Sequence, residues 1–173
     1  MTNAMNRFPV LVALLAVVTL AQQPQSRVPP AHAKESLAII VNRENPLDNL
    51  SMSELRTIFL GERTHWPNGR KITLVTMEDG HAEGVAIARD VCRMSEADLR
   101  RRYLQKRYTN EMLVPPKTLV TPKFVREFVF NVPGAIGYLR PEDVDDSVKV
   151  ISIDDHRPAD AEYPLHIEEH SKN

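Results

Sequence analysis

The chain has 173 residues and 42% hydrophobic content, enough for one packed core but short of two full-sized domains. Its 22 basic and 23 acidic residues leave a formal net charge of −1, so it lacks the basic surplus of a nucleic-acid binder. The single cysteine, Cys92, cannot close an internal disulfide, and stability must come from apolar packing.

At the amino end Arg7 precedes an apolar run from Phe8 to Ala21, and a polar, proline-containing stretch follows, ending Ala31-His32-Ala33. A charged start, an apolar middle and a small-x-small end are the parts of a secretory signal peptide, and the run falls short of the roughly 20 residues that span a bilayer. Residues 1–33 therefore read as a signal peptide cleaved after Ala33, with Ala21 as the second candidate. The mature protein is expected in the periplasm or otherwise secreted, with no membrane span. Cleavage removes Arg7 and Arg27 and no acid, giving a mature net charge of −3.

The α/β domain is expected over residues 34–154. Leu37 to Asn42 is a short β-prone run without alternation, which suits a strand covered on both faces. Ser51-x-x-Glu54, with Leu50 placed to pack on Leu55, reads as a capping box with a hydrophobic staple, and the helix it opens stops at Gly61. The turn Trp66-Pro67-Asn68-Gly69 delivers the chain into a strand over Lys71 to Thr76. Glu78-Asp79-Gly80 breaks that strand, and a helix follows over Ala82 to Arg93, with Cys92 inside its apolar pattern.

Ser95 and Asp98 mark a further helix start. Leu99, Tyr103 and Leu104 form its stripe, and Arg100, Arg101, Arg102, Lys106 and Arg107 read as a solvated face, since the aromatics are spaced as core residues. Pro115-Pro116 marks an extended connection. Thr121-Pro122 is an N-cap followed by proline at the first helical position, with Phe124, Val125, Phe128 and Val129 as the apolar face. Val132 to Tyr138 reads as a turn and short strand, and Ser147 to Ile153 as a last strand. Residues 155–173 read as a polar tail. The order β, α, β, α, α, α, β, β is an α/β pattern.

Three of these segments together resemble the substrate-binding proteins of phosphate ABC transporters: Ala38-Ile-Ile-Val-Asn42, then Leu55-Arg-Thr-Ile-Phe-Leu-Gly61 with Trp66 and Gly69, then Pro133-Gly-Ala-Ile-Gly-Tyr138. The resemblance covers most of Leu37 to Ile153 and mainly the second of the family's two lobes. It implies a type 2 periplasmic-binding-protein-like single lobe, with a mixed, mostly parallel sheet flanked by helices. A single lobe would need a second copy, another envelope protein or an open site to hold a ligand.

The family binds phosphate on a turn of the form Arg-x-Asp-Gly-Ser-Gly-Thr. Aligned on Asp79-Gly80, this chain has Met77 for the arginine, His81 for serine, Ala82 for glycine and Glu83 for threonine. The resemblance thus implies a ligand site at Thr76, Met77, Asp79, Gly80, His81, Ala82 and Glu83, with Ala135 to Tyr138 nearby, for a small anion such as phosphate whose binding is weakened or lost. Losing the arginine removes a charge-assisted bond worth roughly 1.5 to 3 kcal/mol. Two readings of Glu83 stand: a carboxylate that caps its own helix, or part of a rebuilt site in which His81 donates.

Other chemistry is sparse. His166 and His170 stand four apart, as metal ligands on a helix would, but in the expected tail. No nucleophile has an identifiable base, and no nucleotide-binding glycine loop occurs. The expectation is a non-catalytic, cofactor-free solute-binding or accessory domain, the alternative being a protein–protein interaction or sensory module that has lost its ligand. A hydrolase is the least supported option.

Overall fold

The computed structural model describes residues 35–109 and 115–168. The expected signal peptide, residues 1–33, and His170 of the histidine pair lie outside the described residues.

A five-stranded sheet forms the centre. Its strands are β2 (Ala38–Val41), β4 (Thr73–Met77), β5 (Lys117–Leu119), β6 (Ala135–Leu139) and β7 (Lys149–Val150), in the order β5-β4-β6-β2-β7. Every residue of β2 and β6 is buried, which is why these segments show no polar alternation. The pairings β5/β4 and β4/β6 are parallel, whereas β6/β2 and β2/β7 are antiparallel. The sheet is therefore mixed as expected: β5, β4, β6 and β7 run the same way, and β2 alone runs against them.

All four expected helices form. Helix α1 (Met52–Phe59) starts at Ser51, whose side chain accepts from the Glu54 N–H while Glu54 reaches back to the Ser51 backbone, and Leu50 and Leu55 are both buried. Helix α2 (Ala82–Ala86) runs directly into a π-helical turn, Ile87–Val91. Helix α3 (Glu96–Tyr108) is capped by Ser95, and α4 (Pro122–Asn131) by Thr121.

Alternation along β6 assigns the layers. A Cβ on Gly137 would meet the Val125 side chain of α4 at 3.2 Å, so α4 lies close on that face. Tyr138 takes the opposite face, with its ring 6.1 Å from Phe59 of α1 and its hydroxyl beside Gly84 of α2. In the turn before β6, Gly134 has φ +105°, and a Cβ there would lie 2.4 Å from the Lys71 carbonyl oxygen. Only glycine fits.

Two expectations need correction. The last strand is split: β7 pairs with β2, and β8 (Ser152–Ile153) pairs with β3 (Asn49–Leu50) in a separate parallel ribbon. The Ile151 N–H still bonds the Ile39 carbonyl, but that of Ser152 bonds Asp48, so the chain changes partners within one residue. Residues 155–168 are not a solvated tail. Strand β9 (His166–Ile167) pairs with β1 (Glu35–Ser36), and Tyr163, Leu165 and Ile167 are each only 1% exposed. The Tyr163 hydroxyl donates to the Leu37 carbonyl at 2.8 Å. The polar residues around these three concealed their alternate spacing.

Burying a large apolar side chain contributes roughly 1.5 to 3 kcal/mol, and whole domains are stable by only about 5 to 15. Deleting residues 155–173 is therefore expected to abolish the cooperative transition in urea. The hydrogen bonds from Ser51 hold the Glu54 carboxyl below its ordinary pKa of 4.5. Their stabilisation is complete above that value and is lost as pH falls through the lowered folded pKa. Ser51→Ala is expected to cost about 1 kcal/mol at neutral pH and to weaken this acid limb only in part, because the Ser51 backbone N–H, the larger cause, still donates to Glu54, as read by denaturation at pH 3 to 7.

Candidate functional site

Strands β5, β4 and β6 are parallel, so their carboxyl ends lie at one edge of the sheet, the usual place for a ligand crevice in α/β proteins. There Glu78, Asp79 and Gly80 leave β4 for α2, and Gly80 has φ +89°, a conformation natural only to glycine. A half-open cavity of about 530 Å³ lies at this edge. Thr76, Met77 and Asp79 form one side, Glu96, Leu99 and Tyr103 of α3 form another, and Thr118 and Tyr138 come from β5 and β6.

The floor is polar in an ordered way. Tyr138 is 2% exposed. Burial pushes its hydroxyl above the ordinary tyrosine value, so it stays protonated, and its oxygen accepts the Met77 N–H at 3.1 Å. The Thr76 and Thr118 hydroxyls are 3.4 Å apart. Glu96 closes the floor: one carboxylate oxygen accepts the Gly80 N–H at 3.2 Å, and the other would lie 2.8 Å from a Cβ on Gly84. Glu96 has no ion-pair partner among the described residues. Arg100, one turn along α3, pairs with Asp79 at the rim.

The expected site residues separate into two groups. Thr76, Met77 and Asp79 line the cavity, and Gly80 supplies the N–H that Glu96 takes. His81 occupies the N-cap position of α2 without a side-chain capping bond, and Ala82 packs half-buried against the core; neither lines the cavity. Glu83 is 5% exposed and does not cap its own helix. Arg140, just beyond β6, donates Nε to its carboxylate at 2.6 Å and also pairs with Glu35 of β1. These contacts raise the Arg140 pKa, the hydrogen bond to Glu83 foremost.

Sequence reasoning missed Glu96. An acid in the first turn of a helix already has a local explanation, and nothing local points from it to Gly80. Cys92 is buried as expected, its thiol pushed up to about 12 by burial, and is not a nucleophile. The basic face of α3 is largely paired, with Arg101 on Asp98 and Arg102 on Glu62.

Removing one partner of a buried ion pair typically costs about 3 to 5 kcal/mol. Because Arg140 keeps a fifth of its side chain exposed, Arg140→Leu is expected to fall at the low end, about 3 kcal/mol. Adding Glu83→Leu should recover much of the loss in urea denaturation, since the more deeply buried of the two carboxylates on Arg140 is then removed with it.

No protein-family model matches the chain. Among solved structures it is similar to a candidate phosphate ABC transporter substrate-binding protein from Clostridium perfringens with bound phosphate, with TM-score 0.55 and 23% identity over 69% of this chain and 45% of that one. An ABC-type phosphate transport receptor from Vibrio cholerae gives 0.52 and 23% over 80% and 59%. PstS from Borrelia burgdorferi gives 0.59 and 15% over 77% and 55%. The chain spans about half the length of these structures. Over the matched residues it shares the fold of these phosphate transport proteins.

Proposed function

We propose that residues 35–168 form a non-catalytic binding lobe of an exported solute-binding or accessory protein whose anion turn no longer takes phosphate. The observation that carries this is Glu96 on the Gly80 N–H. A phosphate on that turn would have to displace a carboxylate or lie beside it, and like charges in a half-buried site repel strongly. Met77 stands where the family's arginine would supply compensation, and Arg140, a cation close to the turn, is engaged by Glu83 and Glu35. The expected signal peptide supports export, and no helix of the described residues is long and apolar enough to cross a membrane.

A second reading, a protein–protein interaction module, is favoured by Val120 and Phe124, which are 53% and 50% exposed beside the edge strand β5. Exposed apolar side chains next to an edge strand suit β-addition by another chain.

Thermal-shift measurements on residues 34–173 test the proposal, because a ligand of the folded state raises its melting temperature. Millimolar phosphate and sulfate are expected to give no more shift than chloride of equal ionic strength. A saturable phosphate shift that disappears on substitution of Gly80 or His81 would overturn it.

A further inference from the structure

The cavity edge carries a charge that the fold leaves unbalanced. Glu96 accepts one backbone N–H and has no cation within ion-pair distance among the described residues, whereas the neighbouring Asp79 is matched by Arg100. Arg107 also lines the cavity, but it stands eleven residues further along α3, roughly 16 Å by helical rise. A carboxylate drawn partly out of water lowers its energy by meeting a cation with a hydrogen bond to give.

The walls around it are apolar and firm. Met77, Ile87 and Leu99 are buried among the core residues, Leu104 and Pro116 line the outer part, and the Tyr103 hydroxyl donates to the Phe59 carbonyl at 2.6 Å, which fixes its ring as a wall. Aromatic faces attract cations, and about 530 Å³ is an ordinary volume for a small-molecule site. Resting on the reading of this unit as a binding lobe, we infer that the cavity takes a small organic amine, its ammonium group on Glu96 and its apolar body against Leu99, Leu104 and Tyr103. The ligand charge is thus opposite in sign to that of the phosphate held by the Clostridium perfringens protein of the same fold. The Thr76 and Thr118 hydroxyls are placed to accept further N–H bonds.

Amide chemical-shift titrations of residues 34–173 with benzylamine, benzyl alcohol and benzoate at matched ionic strength test the inference. Benzylamine is expected to shift the Gly80 and Gly84 amides saturably, with the alcohol and the acid at least about tenfold weaker, the scale of one charge-assisted bond. Glu96→Gln should reduce benzylamine affinity to that of the alcohol. Glu96→Asp, which keeps the charge, should retain part of it, and both variants should keep the dispersed spectrum of the folded chain. Equal binding of all three probes, or full amine affinity in Glu96→Gln, would overturn the amine assignment while leaving the cavity a binding site. No shift from any probe would overturn the assignment and the binding-lobe reading together.

Discussion

A carboxylate removed from water must find a cation or lose its charge, and the Glu83–Arg140 pair is how this fold meets that requirement at its most sensitive point. Glu83 lies in the first turn of α2, and its side chain is only 7% exposed. Arg140 follows the last residue of β6 and also holds Glu35 of β1. One guanidinium therefore ties the start of a helix, the exit of a central strand and the first strand of the described chain. The buried pair is weak evidence for stability compared with apolar packing, but it restricts where α2 can begin.

Its consequence for the site is direct. With Glu83 turned to Arg140, the turn at Gly80 has no carboxylate of its own helix upon it, and Glu96 arrives from α3 to accept the N–H. The fold brings three strand ends, one glycine turn and one helix start together. On the proposed reading, Met77 stands where compensation for an anion would be needed, and Glu96 stands where the anion would sit. A shared fold does not by itself carry a shared ligand chemistry.

Much of the framework was legible because local rules agreed with the global structure. The Ser51–Glu54 box, Gly61, the Ser95 cap and the Thr121-Pro122 start act within a few residues and appear where their chemistry places them. The misreadings concern partners distant in sequence. Glu83 and Arg140 are 57 residues apart, β1 and β9 more than a hundred, and no periodicity in a two-residue strand announces its partner. Ser147 to Ile153 alternated well enough for one strand, yet backbone pairing to β2 and then to β3 divided it. His81, a donor by alignment, lies outside the cavity lining, and Glu96, unremarkable in its own helix, makes the contact on the turn.

That the turn's N–H is already occupied is the point on which the functional reading rests, and it is open to direct observation. A crystal structure of the mature chain grown in concentrated phosphate should show the Glu96 carboxylate on the Gly80 N–H and no anion on the turn. Density for phosphate on the Gly80 N–H, with Glu96 displaced, would contradict it.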